Sequence, residues 1–281
     1  MKKYNINIVD ILMCPECKSS LTNTLECRKC NSKYTLENGI YNIVSKKLSA
    51  DQAILWKISD EEIYGNCSNT INSSNDYQSR KNAGTLKAEE KHQEYIEKVV
   101  PGISGIVCDL ATGLGNMLNN LVNYGNKNME IICTDIDKRV LMLTKKRLNL
   151  VENSVSFVAT DGRYLSIKND SFDFITSRAV FGNIPETEKI ASEMYRVLQP
   201  KGKIIVIGTF IEKDSKSFKL AESIGIGQGM VEEYLIGVLA DTKFHEINST
   251  IVAKAEWAEN PYDLIPVAGD MQYYYVLEAE K

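Results

Sequence analysis

Gly105-Ile-Val-Cys-Asp-Leu-Ala-Thr-Gly-Leu-Gly-Asn-Met-Leu118 runs from a short β-branched segment, through two closely spaced glycines, into a stretch whose apolar positions Leu118, Leu121 and Val122 suit a helix. A strand, a glycine loop and a helix N-terminus in that order form the ligand-binding turn of a parallel α/β sheet. Gly113 and Gly115 let the backbone turn sharply and come close to a ligand where a side chain would collide. An ordinary strand-to-helix turn is the plainer alternative. The position three after Gly115 is Leu118, so the third glycine of the dinucleotide fingerprint is missing and NAD or FAD is disfavoured.

Outward from this loop, short strand-like runs alternate with helical periods, the pattern of βαβ units. The runs are EIICTD, VSFVAT, FDFITS and KIIVIGTF. Between the last two, Ile190, Met194, Val197 and Leu198 make one apolar helical stripe, and Pro200 with Gly202 predicts a helix-to-strand turn. Further on, MVEEYLIGVLADT reads as helix, and STIVAKAEW with QYYYVLEAE reads as a hairpin. The expected class is α/β, a doubly wound, Rossmann-like sheet.

Two more carboxylates end strands beside the glycine loop. Asp135 closes EIICTD, at the switch point where doubly wound sheets bind ligands, and can accept hydrogen bonds from both hydroxyls of a ribose. Asp161, after VSFVAT, can receive an adenine amino group in the same crevice. Three acidic strand ends around one glycine loop suit an adenosine that carries a positive sulfonium and no phosphate.

The motifs DLATGLGN, CTDID, FVATDGRYLSIKNDSFDFITS and EMYRVLQPKGKIIVIG, in this order over about residues 86–210, resemble those of class I S-adenosylmethionine (SAM)-dependent methyltransferases. The resemblance implies SAM as cofactor, with Asp109, Ala111, Gly113, Gly115, Asp135 and Asp161 as its contacts. It also implies a seven-stranded sheet with an antiparallel last strand. Asp137 is expected to cap the next helix and not to bind ribose.

The N-terminus carries a separate signal. Cys14-Pro-Glu-Cys17 and Cys27-Arg-Lys-Cys30 are two knuckles separated by nine residues, the spacing that brings four thiolates around a tetrahedral zinc. A redox pair would want a thioredoxin-like βαβ context, and disulfides an oxidising compartment. Four thiolates leave no open position, so the zinc is expected to be structural. SKYTLENGIYNIV suits a small hairpin around Gly39, completing a zinc-ribbon-like module over residues 1–48. Residues 49–98 read as a helical connector or lid, with a helix-prone piece around Trp56 and an Asn/Ser-rich stretch from Asn66 to Asn75; 99–281 read as the methyltransferase domain. Knuckles followed by a helical connector look like the arrangement in bacterial ribosomal RNA guanine-N1 methyltransferases. Here the ligand set ends in Cys27 and Cys30 and lacks the histidine found there.

Of the 281 residues, 43% are apolar and 25% charged, as in ordinary globular domains. The opening MKKYNINIVDILM lacks a signal-peptide pattern and no run suits a membrane span, so a cytoplasmic protein without a membrane partner is the expectation. Cys108 and Cys133 sit in apolar runs and read as packing. A net charge of -4 gives no global attraction for phosphate backbones, which favours a small-molecule acceptor over RNA. An RNA substrate would require Lys18, Arg28, Lys29, Lys33, Lys46 and Lys47 to share one face. A SAM-binding interaction protein without transfer activity is the third reading.

No catalytic residue follows from the motifs, because a sulfonium donor is already activated and positioning is the main requirement. The histidine that many relatives carry after the fourth strand is replaced by Phe181, Gly182 and Asn183. Neither Asn183-Ile-Pro185 nor Asn260-Pro261-Tyr262 makes a convincing amino-group motif. His245 reads as packing or surface and His92, in a charged helix, as solvated. Tyr273, Tyr274 and Tyr275 are expected to pack in a strand.

Overall fold

The computed structural model describes residues 7–46, 76–149, 155–260 and 263–281. The Trp56 piece, Cys67, the Asn/Ser-rich stretch, Lys47 and the boundary expected at residue 48 lie outside them. In chain order the elements are α1 (Ile8–Ile11), β1 (Thr35–Glu37), β2 (Ile40–Asn42), α2 (Ala83–Val99), β3 (Gly105–Asp109), α3 (Asn116–Tyr124), β4 (Met129–Asp135) and α4 (Lys138–Arg147). There follow β5 (Val155–Ala159), β6 (Phe172–Arg178), α5 (Val180–Asn183), α6 (Thr187–Val197), β7 (Leu198–Ile211), α7 (Lys216–Ser223), α8 (Glu232–Asp241), β8 (His245–Glu256) and β9 (Met271–Glu280).

One sheet runs through the molecule in the order β1-β2-β5-β4-β3-β6-β7-β9-β8. Its middle strands are parallel, and the order reverses between β3 and β6, which leaves a crevice at their carboxyl ends. β9 runs antiparallel to both β7 and β8, as expected for the C-terminal pair. Both faces are covered, and the strands show it by alternation: Cys108, Ile132, Val158 and Val206 belong to one apolar cluster, while Val107, Ile131, Cys133, Phe157 and Ile205 belong to the other. Cys108 and Cys133 are fully buried on opposite faces, in keeping with a packing role.

The sheet has nine strands where seven were expected. The seven are present, and the hairpin around Gly39 adds two: β2 pairs in parallel with β5, Ile40 opposite Phe157 and Asn42 opposite Ala159. Without the hairpin, β5 would present a bare edge of unpaired amides and carbonyls. The N-terminal segment has too little apolar material for a core of its own. It shares the main one: Ile8, Val9, Leu12, Leu21, Tyr34 and Ile43 lie in the same cluster as Leu165, Ile167 and Met194. Backbone bonds fasten it down, with Met13 N donating to Ser166 O at 2.9 Å, Lys168 N to Ile11 O at 2.8 Å and Ile43 N to Ala159 O at 2.9 Å.

The turn expected at Pro200 is present, with Lys201 at φ 67°, but it lies inside a strand and not between helix and strand. β7 begins at Leu198, pairs with Phe172, and passes an irregularity before regular pairing resumes at Lys203. Lys201 N and Gly202 O bond to the chain's last residue, Lys281, so long-range pairing draws a locally turn-like sequence into the strand. α2 starts at Asn82, whose side chain accepts from Thr85 N at 2.8 Å, and lies against β8 and β9. It thereby reaches the crevice from the far side.

Candidate functional site

The crevice is built from strand ends. β3 delivers Asp109 fully buried, with Thr176 Oγ1 donating to its Oδ1 at 3.2 Å. Its other oxygen, Oδ2, has no hydrogen-bond partner among the described residues. Burial pushes its pKa up to about 7, against the lowering effect of Thr112 and Thr176.

The loop that follows takes three left-handed residues, Ala111 at φ 54°, Gly113 at φ 52° and Gly115 at φ 78°. Neighbouring elements hold it open: Thr112 N donates to Thr134 O at 2.8 Å, Gly113 N to Asp135 Oδ2 at 3.0 Å, and Thr144 Oγ1 to Gly113 O at 2.6 Å. The two glycines do different work. A Cβ on Gly115 would lie 2.6 Å from Thr144 Cγ2, so this residue lets α3 pack on α4. A Cβ on Gly113 would meet nothing nearer than 3.9 Å, because that side faces open space.

Asp135 uses Oδ2 for Gly113 N and Oδ1 for Asp137 N at 3.1 Å, and burial raises its pKa to about 6. An ionised carboxylate has about four acceptor sites, so two backbone donors leave capacity for a ligand's hydroxyls. Asp137 caps α4, accepting from Arg139 N at 2.9 Å, as expected. Asp161 is buried and doubly held by Arg163, with Nε at 3.1 Å from Oδ1 and Nη2 at 2.8 Å from Oδ2. Arg163 in turn reaches Glu186 at 2.9 Å. The Asp161 carboxylate is therefore anchored by a charged partner before any ligand arrives.

Asp109, Ala111, Gly113, Asp135 and Asp161 all line one cavity of about 510 Å³, while Gly115 lies behind it. The same cavity continues to residues that the sequence did not single out for a site: Tyr77, Glu89, His92, Arg178, Trp257, Asp263, Gln272 and Tyr274. His92 is the clearest departure. It is 2% exposed instead of solvated; its Nε2 sits 2.9 Å from Tyr275 O, and burial pushes its pKa down to about 4. Thr85, Ala88, His92 and Ile96 are the buried residues of α2, at helical spacing, and that stripe was the overlooked signal. Tyr275 packs as expected, stacked on Phe210 at 3.7 Å between centroids, and both it and Tyr274 border the cavity. His245 is exposed.

About the N-terminal cysteines the chain repeats one local design. Cys14 N donates to Ser19 O and Lys18 N to Cys14 O; Cys27 N donates to Ser32 O and Asn31 N to Cys27 O, all at 2.8 Å. Lys18 and Asn31, each four past the first cysteine of its knuckle, take φ 60° and φ 58°. The four sulfurs lie within 4.8 Å of one another, with Cys14–Cys30 at 3.5 Å and Cys17–Cys27 at 3.4 Å. A tetrahedral zinc with bonds of about 2.3 Å needs sulfurs about 3.8 Å apart, so the donor set fits zinc. Tyr34 Oη lies 3.2 Å from Cys14 Sγ and can donate to a thiolate there. No helix among the described residues is long and apolar enough to cross a membrane.

Comparison with known proteins agrees with this geometry. Residues 108–206 match the family described as "Methyltransferase domain". The ubiquinone/menaquinone biosynthesis C-methyltransferase UbiE of Rickettsia prowazekii is 30% identical over 159 residues, 50% of this chain and 63% of that protein. Its Yersinia pestis (strain Pestoides F) counterpart is 27% identical over 169 residues, again 50% of this chain and 66% of the relative. The chain thus spans just under two thirds of the length of these relatives. Among solved structures, phosphoethanolamine N-methyltransferase 2 of Haemonchus contortus, in complex with SAM, superimposes with a TM-score of 0.52 at 18% identity, covering 68% of this chain and 52% of that one. That likeness speaks for the fold. The glycine loop and the strand-end carboxylates lie within the matched segment, so residues 108–206 are similar to a methyltransferase domain where the crevice is built.

Proposed function

We propose that this protein transfers the methyl group of SAM to a small, nonpolymeric acceptor, and that its four-cysteine cluster holds a structural zinc. SAM, when bound, supplies a methyl group already activated on a sulfonium. The observation that carries the reading is Asp109 Oδ2, a buried carboxylate oxygen with no partner among the described residues, on a residue that lines the cavity together with Asp135, Gly113 and Asp161. An orphaned acidic group of raised pKa is what a cationic ligand would satisfy.

In this reading Asp109, Ala111 and Gly113 hold the amino-acid part of the cofactor, Asp135 its ribose, and Asp161 the adenine edge. Gly115 acts one step back, by setting the loop against α4. The chain's work is then to orient the acceptor and exclude water, and no residue need act as a base. The relatives named for quinone biosynthesis support a small acceptor. So does the basic cluster of the knuckles, where Lys33 is already paired with Glu26 at 2.7 Å. Residues 1–48 are proposed as the zinc module, 49–98 as a connector whose helix α2 covers the cavity, and 99–281 as the transfer domain.

Calorimetry with SAM and its demethylated product, followed by labelled-SAM transfer on extracts with and without RNA, tests this. Uptake of both nucleosides and label in the small-molecule fraction support the proposal. No uptake by the folded protein would end it, and label confined to RNA would replace the acceptor.

A further inference from the structure

The cavity has a second end, beyond the cofactor residues. β6 stops there at Arg178, two residues past the Thr176 that bonds Asp109. Gln272 and Tyr274, two apart on β9, face it together, since alternate residues of a strand share a side. Trp257 follows β8 and is tied by its backbone to Asp270, and Asp263 stands in the connection between β8 and β9. α2 closes the far wall, with Ala88 and His92 against Tyr274.

This wall holds polar groups that the protein leaves unsatisfied. Among the described residues, Trp257 Nε1, Gln272 Nε2, the Tyr274 hydroxyl and Asp263 Oδ2 are buried without a hydrogen-bond partner. Among the described residues no hydrogen bond or close ion pair engages the Arg178 guanidinium, which feels the Glu89 carboxylate only at a distance. Folded proteins pair nearly all such groups, so several on one wall mark a ligand's place. Their sense is also informative. Arg178, Trp257 and the Gln272 amide nitrogen only donate, Tyr274 can do either, and Asp263 alone only accepts. The other cation close by, Lys81, is already spent on Glu89 at 2.7 Å. Glu89 is neutralised by Lys81, so a guanidinium without a close partner, with the Trp257 and Gln272 donors in the same cavity, matches a single planar oxyanion better than an amine.

We infer that this end of the cavity is the acceptor pocket and that it takes a small acceptor carrying a carboxylate, seated on Arg178 with Trp257 and Gln272 donating to its oxygens. The inference rests on reading the adjoining end as the SAM site.

The test uses the full zinc-loaded chain, titrated by calorimetry with benzoate, benzamide and benzylamine, with and without S-adenosylhomocysteine. Benzoate should bind about tenfold or more tightly than its neutral amide, the usual gain of a hydrogen bond to a charged group. Arg178→Met should erase that preference while leaving S-adenosylhomocysteine affinity within about twofold, and Arg178→Lys, which keeps charge but not the fork, should fall between. Equal binding of benzoate and benzamide, no saturable benzoate uptake, preference for benzylamine, or a preference that survives Arg178→Met each overturns the inference. Failure to take up S-adenosylhomocysteine would instead sink the cofactor reading, and the titration without it still reports the carboxylate preference.

Discussion

The cysteine knuckles and the glycine loop are made from the same backbone material and put it to opposite use. Each knuckle closes on a left-handed residue, Lys18 or Asn31, and the loop turns through Ala111, Gly113 and Gly115 in the same conformation. In the knuckles local hydrogen bonds push four side chains toward one point. In the loop, Gly113 N donates to Asp135 and Thr144 donates to Gly113 O, which holds the backbone while Gly113 leaves open space on its own side. A turn that gathers side chains tolerates Lys18 and Asn31 in the left-handed region because backbone bonds to Cys14 and Cys27 hold them there. A turn that must leave room depends on residues with little or no side chain.

The sharpest way to break the comparison is to remove the metal. Structural zinc in small modules contributes on the order of 10 kcal/mol, so chelation or Cys27→Ser should unfold the N-terminal segment, release zinc and expose the β5 edge to proteolysis. Unchanged protease sensitivity with no zinc released would show that the knuckles stand without metal.

Gly115→Val comes next. It places a Cβ 2.6 Å from Thr144 Cγ2 at φ 78°, and thermal denaturation should show a loss of about 2–4 kcal/mol. Gly113→Ala, with open space around it and Ala111 already at φ 54° nearby, should cost only about 1 kcal/mol in stability and act mainly on SAM affinity. Equal losses for the two would show that they do not divide the work as described.

Asp135→Ala removes a carboxylate that accepts from two loop amides, and SAM affinity should fall about thirtyfold, near 2 kcal/mol, by calorimetry.

The pH dependence is somewhat smaller. Asp109, raised to about 7 by burial, binds more protons in the folded protein than in the unfolded chain between its ordinary value and 7. Its contribution therefore weakens folding as pH rises through that window. A cationic ligand favours the ionised form, so SAM affinity should move the other way, falling about tenfold from pH 8 to pH 6 with proton release on binding. A flat affinity profile would remove Asp109 from the site.

Least of all, Lys33→Gln, which breaks an exposed pair with Glu26, should change stability by no more than about 0.5 kcal/mol. A larger effect would mean that the knuckles lean on charge as well as metal.

What could be read in advance was whatever is local in the chain. The alternation of Val107, Cys108 and their neighbours, the Asp137 cap, the Gly39 hairpin and the Cys-x-x-Cys pairs each depend on residues a few positions apart. The acceptor end was illegible for the converse reason. Arg178, Trp257, Gln272 and Tyr274 come from three strands or strand ends, and none has a spacing that announces a site. His92 was misjudged because its charged helical neighbours on α2 face away from the buried stripe it belongs to.

By itself, then, the sequence determined the α/β class, the glycine turn and the cysteine cluster, because periodicity, glycine freedom and ligand spacing act over short range. Only the tertiary structure decided that the N-terminal hairpin extends the central sheet, that Gly115 is a packing residue, and that one cavity joins the glycine loop to an unsatisfied polar wall. Those outcomes depend on which strand edges and buried groups are brought together across the fold, and burial and pairing at such distances leave no mark in the spacing of residues along the chain.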